Sequence, residues 1–342
     1  ISASNPYSFS NVWTTSYQCI RRANTVFARI DEAKDLTAQD RAELLSLNRF
    51  IRAYAYYKLW LAYGPVILIG DEEIPSNLDM GDYDRARATN EETVEYICSE
   101  LEEAAKYLPE TYPLMEFGRP TKGAAYGLIA RIRTYYASPL WNGGEAARRC
   151  FGNWYRKTDR VKYVTTDEYD EERWAIAAAA CKRVMNMKKS GAPMYSLFTV
   201  QEDTQTPPLP EGVTSDPDFY EPYPVGAAGI DHLRSYSEQF TGEAVIATNP
   251  EYVWGRKSQT LVDNTRMSFP ISFGGWGGMA LTQKIVDSYS MYDGRSIDNS
   301  SEAYPYSESG FTNEQKSFSG YRLNAGVYNM YDNREMRFYA CV

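Results

Sequence analysis

The residues in this chain best suited to contact a ligand are aromatic rings set in loops. Trp276 stands in Gly274-Gly275-Trp276-Gly277-Gly278, and Tyr220 and Tyr223 stand in a stretch rich in proline. A sugar ring offers an apolar C–H face and a rim of hydroxyls, so a site for it needs an aromatic platform flanked by Asn, Asp, Arg or Tyr. Glycines on both sides let the backbone bring a Trp to the surface, although the same turn also suits a Trp that plugs a core. Trp141, just beyond a predicted helix, reads as structural. Trp254, alternating with Tyr252 beside Arg256, reads first as core and second as a ligand contact.

Other chemistries find less support. A glycoside hydrolase needs two carboxylates facing one cleft, and with 45 acids in the chain no pair stands out. His232 is the single histidine. It reads as a loop or surface residue, with no G-x-S-x-G element to make it part of a triad. Asp79, Asp82 and Asp84 lack the spacing of a calcium loop, and Gly274 to Gly278 lacks the Lys-Ser/Thr of a phosphate loop. No cofactor or metal is expected.

The elements that must position these rings are helical. Leu44 to Ile69 is apolar or aromatic on two sides: Leu47, Phe50, Ile51, Tyr54, Tyr57 and Leu61 follow one face, and Ala53, Tyr56, Trp60 and Tyr63 a second. Such a helix must be sandwiched between others, and Gly64-Pro65 ends it. Tyr54, Tyr57 and Trp60 therefore read as core, with Asn48, Arg49, Arg52 and Lys58 as interruptions. Thr37 with Asp40 and Thr89 with Glu92 supply capping signals. Helices are predicted over about residues 12–31, from Thr37 to Gly64, from Thr89 to about Tyr107, over Lys122–Ala137 and over about 170–189. In the last of these, Trp174, Ala177, Ala178, Cys181, Val184 and Met185 are assigned inward. Helical pairs thus begin near 12, 91 and 171, about 80 residues apart, against about 34 for a plain tetratricopeptide repeat. Beyond Gly191 the pattern changes: six prolines fall between Thr199 and His232, strand-like pieces are expected at Glu243 to Ile246 and Tyr252 to Trp254, and a short helix at Leu281 to Tyr289.

Composition bounds the function. The chain has 342 residues, net charge −9 and 29 tyrosines. The acidic balance argues against binding nucleic acid or an anionic lipid surface, which demand clustered Lys and Arg. Five widely spaced cysteines give neither a zinc knuckle nor a disulfide framework, and Cys19, Cys98 and Cys181 read as buried thiols. No run approaches the ~18 apolar residues of a membrane span. The chain starts at Ile1 rather than Met, so a removed export signal or lipid anchor is compatible with it.

Six stretches, RAYAYYKLWLAYGPVIL, GRPTKGAAYGLIARIRTYYASPLWNGG, DEERWAIAAAACKRVM, EYVWGRK, GGWGGMALTQKIVDSYSMYDGR and NREMRFYACV, resemble in order and context the SusD/RagB family of nutrient-binding outer-membrane lipoproteins. The resemblance covers essentially the whole chain. It implies a mainly α fold: a tetratricopeptide-like helical repeat scaffold with a loop-rich ligand-binding region containing short strands. Residues 1–342 would form one such domain, with 1–190 as scaffold and 191–342 as the binding part. It also implies a non-enzymatic, surface-exposed protein that captures oligosaccharide, or oligopeptide, for a TonB-dependent, SusC-like outer-membrane barrel. By position it points to Asn5 and Tyr7 and to the 219–224 and 266–278 loops, so that Trp276, Tyr220, Tyr223, Tyr7, Asn5, Arg266 and Trp254 are the candidate ligand contacts. Family members carry an N-terminal lipidated cysteine, which does not precede Ile1, and Val342 ends in what reads as a strand that they continue. A fragment of a longer chain is expected. An all-helical glycoside hydrolase and a scaffold that binds only protein are the competing classes.

Overall fold

Thr37 and Thr89 each close a capping box: the hydroxyl accepts from the backbone N–H of Asp40 or Glu92, whose carboxylate accepts in return from the threonine N–H. These boxes set the starts of the two central helices of a frame seen in a computed structural model, which describes residues 7–75, 77–165, 167–255 and 262–342. The chain forms two compact units, residues 1–195 with 253–255, and residues 196–252 with 256–342.

In the first unit, α1 (Tyr7–Arg29), α2 (Ala38–Tyr63), α3 (Asn90–Ala105) and α4 (Lys122–Ala137) pack each against the next, and α6 (Glu172–Met185) packs on α4. A short α5 (Gly144–Phe151) and a two-residue hairpin, β1 (Lys188–Lys189) with β2 (Ala192–Pro193), complete it. The core runs through α2: Phe50, Tyr56, Leu59 and Trp60 are sealed between Ile20 on one flank and Ile97, Leu101 and Ile132 on the other. Trp60 donates its indole N–H to Asn90 Oδ1 at 2.7 Å. The C-terminal turn of α2 is closed by Gly64, at φ 67°, where an added Cβ would sit 3.0 Å from the Trp141 ring.

Two expectations about helix faces are corrected here. Ile51 and Leu61, assigned inward, are 43% and 48% exposed. The two flanks of α2 are covered by α1 and α3, and its third face is left to water, so periodicity marked a wider stripe than packing uses. In α6 only Ala177 is buried, whereas Trp174, Cys181 and Met185 are exposed, because α4 is the element that covers it.

Arg52, one of the positions read as an interruption, is a fully buried charged residue of this core. Its guanidinium donates to Glu100, to Asn24 Oδ1 at 2.8 Å and to Gly70 O at 3.0 Å, pairs with Asp71 at 2.6 Å, and lies 4.5 Å from the Phe27 ring centre. It thereby ties α1, α2, α3 and the 66–71 segment together. That segment is also held by Tyr17, whose hydroxyl donates to Ile67 O and accepts from Ile67 N–H, and by Tyr56, which accepts from Ile69 N–H. Burial pushes the Tyr56 hydroxyl up to about 12, so it stays a neutral partner at any physiological pH.

The second unit contains α7 (His232–Thr241), α8 (Val262–Ser268), α9 (Gln283–Ser288), α10 (Met336–Cys341) and a hairpin of β3 (Lys316–Phe318) with β4 (Tyr321–Leu323), separated by long stretches of chain. Leu323, Met330, Phe338 and Tyr339 centre its core with Leu233 and Val286. Several expectations change. Glu243 to Ile246 and Tyr252 to Trp254 are not strands, and the C-terminal residues form α10 rather than a strand. His232 opens a helix instead of lying in a loop, because Asp231 is an N-cap whose carboxylate accepts from Arg234 N–H.

Removing the Arg52 guanidinium leaves Glu100, 7% exposed, with the partly exposed Arg49 as its remaining cationic partner, and opens a cavity where the fully buried side chain stood. Arg52→Ala should therefore lose about 3–5 kcal/mol of stability in chemical denaturation; a loss below 1 kcal/mol would contradict the clamp.

Candidate functional site

Within the second unit a cavity of about 750 Å³ is lined by residues 197–199, the 209–230 loop, α7, Glu251, the 290–294 turn and residues 335–337. Each wall has a local cause. The first turn of α7 is tethered to the preceding extended chain: Asp231, with no exposed surface, donates its N–H to Val200 O and accepts from Thr206 Oγ1 at 2.9 Å, and Ser235 Oγ accepts from Val200 N–H. This fixes His232, Tyr236 and Gln239 along one side.

The opposite wall is the proline-rich loop, which folds back on itself. Tyr223 N–H donates to Ala228 O and Ala227 N–H to Phe219 O, both at 2.9 Å. Gly226 permits the crossing, since a Cβ there would meet Asp218 O at 2.1 Å and Glu221 O at 2.3 Å. Phe219 and Tyr223 consequently face the cavity. Tyr220 supports this wall from behind: its ring meets Phe219 edge-on at 4.9 Å, and its hydroxyl accepts from Val213 N–H and donates to Pro210 O.

The third wall is the turn Met291 to Gly294, closed by Met291 N–H to Arg295 O at 2.8 Å. Arg334 positions the chain before it. Its side chain has no exposed surface and donates to Val286 O, Tyr289 O and Met330 O at 2.8, 2.8 and 2.9 Å, with its plane 4.7 Å from the Phe338 ring centre. Among the described residues no carboxylate lies within ion-pair distance of it, and burial lowers the affinity of the group for its proton. Tyr292 projects from the turn, donates to Pro208 O at 2.6 Å and is pushed up to about 12 by burial.

The charged groups on the lining are mostly acidic. Glu251 accepts from Phe198 N–H at 3.0 Å and has no cationic partner among the described residues. Asp293 accepts from Ser301 and lies 3.8 Å from Arg295, and Glu335 accepts from Ser290 N–H and pairs with Arg337 at 2.6 Å. The Glu335 hydrogen bond raises the Arg337 guanidinium above its ordinary value. His232 Nε2 is shielded from water and has no hydrogen-bond partner among the described residues. The aliphatic remainder comes from Leu209, Val213, Ile230 and Met336.

The structure distributes the predicted contacts among different places. Tyr223 lines the cavity, and Tyr220 braces it. Trp276 and Arg266 come together elsewhere in the same unit: the guanidinium stands 5.7 Å from the ring centre, and Arg266 O accepts from Trp276 N–H at 2.6 Å. Trp276 is 51% exposed on a turn that Gly275 makes possible, since a Cβ there would meet Phe269 O at 2.0 Å. Trp254 belongs to the first unit and packs edge-on to Phe50 and Tyr54, with its indole N–H donated to Gly118 O. Its hydrogen-bonding group and ring are thus used internally, the core role that its alternation with Tyr252 had favoured. Tyr7 begins α1, and its side chain and Asn5 lie outside the described residues. Trp141 stacks on Phe151 at 5.0 Å within the frame. Asp79, Asp82 and Asp84 form no metal-holding group; none exists among the described residues.

Phe219, His232, Tyr236 and Tyr292 were missed by sequence reasoning. An Asp-Gly turn signal at Asp293-Gly294 was available for Tyr292. The N-cap Asp231, followed by Leu233 and Tyr236 at helical spacing, was available for His232.

Comparison with known proteins adds the family. Residues 2–134 match a profile described as SusD-like, starch-binding associating with outer membrane, and residues 250–342 match the SusD family profile. A SusD-like protein of Bacteroides ovatus (strain ATCC 8483) is 28% identical over 137 residues, which are 40% of this chain and 23% of that protein. Two solved structures share the fold. A SusD-like protein from Bacteroides fragilis NCTC 9343 superposes with a TM-score of 0.60 at 22% identity, over 99% of this chain and 50% of that one. A SusD-like carbohydrate-binding protein from the same strain gives 0.53 at 15%, over 91% and 44%. The chain spans about half the length of these structures.

The cavity wall depends on the three carbonyls that Arg334 satisfies. Arg334→Lys supplies fewer donors on a narrower head, so it should cost about 2 kcal/mol in urea denaturation. Unchanged stability would show that the clamp is dispensable.

Proposed function

This chain belongs to the SusD/RagB family, and we propose that it binds oligosaccharide without cleaving it, at the surface of an outer membrane. The family description, starch-binding and associating with outer membrane, supports this reading, as does the carbohydrate-binding description of a relative with the same fold. The observation that carries it is the cavity: its volume lies within the usual range for small-molecule sites, and Phe219, Tyr223, Tyr236 and Tyr292 stand on its walls beside His232 and Gln239. Rings of this kind cover the C–H faces of a sugar, and the polar groups between them take its hydroxyls.

Trp276, with Arg266 across one face, is proposed as a further platform on the exposed loop. The captured glycan would pass to a TonB-dependent, SusC-like barrel, and attachment would be through an N-terminal lipid. Among the described residues no helix is long and apolar enough to cross a membrane. Oligopeptide is the second reading, favoured by the aliphatic surface of Leu209, Val213, Ile230 and Met336, which suits an apolar side chain.

Affinity electrophoresis in gels cast with individual polysaccharides tests the proposal directly. Retardation with no released product is expected, and Phe219→Ala or Tyr223→Ala should weaken binding about fivefold, the share of one ring contact of about 1 kcal/mol. Release of shorter saccharides by the pure protein would instead identify a hydrolase, and binding of peptides alone would identify the second reading. Trp276→Ala with unchanged retardation would remove the loop platform from the site.

A further inference from the structure

We propose that His232 is a ligand-contacting residue of the cavity whose Nε2 engages a saccharide hydroxyl, and that the acidic lining around it selects an uncharged or amine-bearing saccharide over an acidic one. The inference rests on the glycan reading above and narrows it. A buried polar atom without a partner forfeits a hydrogen bond and is uncommon in folded proteins. His232 Nε2 is such an atom, and the side chain that carries it forms part of the cavity wall. Its position is not incidental: Asp231 is held by Val200 and Thr206 and caps α7 through Arg234 N–H, which fixes the residue next to it. An unprotonated ring nitrogen accepts from a hydroxyl and a protonated one donates to it, so a hydroxyl satisfies the group in either form.

The surrounding charges decide the class of ligand. Glu251, Asp293 and Glu335 bring three carboxylates to the lining. Against them stand Arg337, engaged by Glu335, and Arg295, 3.8 Å from Asp293. Among the described residues Glu251 has no cation to offset it. A uronate or sulfate placed here meets like charge at reduced dielectric, whereas a neutral sugar does not, and an amine gains.

Isothermal titration of the protein, of His232→Gln and of His232→Leu decides the matter. The probes are hexasaccharides of α- and β-linked glucose, xylose and mannose, together with glucosamine, galacturonate and mannuronate hexamers. A neutral or glucosamine hexamer should bind at least about tenfold more tightly than either uronate. His232→Leu should weaken that binding about tenfold, and His232→Gln, which restores a hydrogen-bonding group, should stay within about threefold. Because Nε2 has no partner among the described residues, His232→Leu should keep or raise the Tm of the free protein. Equal or tighter binding of a uronate hexamer overturns the inference and leaves the glycan reading standing. Undiminished affinity of His232→Leu overturns it too, as does a lost affinity accompanied by a lowered Tm, which assigns the residue to the fold. Binding of no hexasaccharide overturns the reading and the inference together.

Discussion

A guanidinium withdrawn from water needs protein acceptors, and the second unit is organised around one such group, Arg334, whose two terminal nitrogens are answered while its Nε has no partner among the described residues. Arg334 draws three carbonyls from Val286, Tyr289 and Met330 onto one plane, so the end of α9, the segment leading to the Met291 turn and the approach to α10 are held together without an ion pair. Loops make up most of this unit, and few backbone groups there are satisfied by helix or sheet. A side chain with several fixed donors replaces the ladder that regular structure would provide. Phe338 and Tyr306 cover the charged plane, which limits water's access to it.

The first unit solves the same problem with a different balance. Arg52 is equally buried but has carboxylates, Glu100 and Asp71, within reach, besides Asn24 and Gly70. Here desolvation is repaid by charge as well as by hydrogen bonds. The result is a rigid stack of helices whose aromatic residues, Tyr56 and Trp60 among them, are engaged in packing and in hydrogen bonds to Ile69 and Asn90. In the second unit, by contrast, rings stand on loops and an imidazole nitrogen is unanswered among the described residues.

The helical frame was readable because its signals are local. Capping boxes lie three residues apart, and the Lys122–Ala137 helix was placed with the bounds it has. The site was less readable because its parts are distant in sequence. Tyr223, His232, Tyr292 and Arg337 meet only after loops of tens of residues fold back, and no periodicity reports such a meeting. Trp276 was conspicuous for its glycines and does stand exposed, but the cavity formed elsewhere in its unit, around rings whose sequence context was ordinary.

What the sequence determined by itself was the class of the fold, the order of the helices and the family, since each depends on short-range pattern or on stretches preserved in order. Tertiary structure decided which faces those helices bury. Ile51 and Leu61 are exposed and Arg52 is sealed, because the neighbours of α2 select two flanks out of a stripe that hydropathy could not divide. It also decided that His232 lies on a helix facing a cavity, with Asp231 buried beside it. That outcome depends on Val200 and Thr206, about 25 to 30 residues upstream, and so on contacts that exist only once the chain has closed.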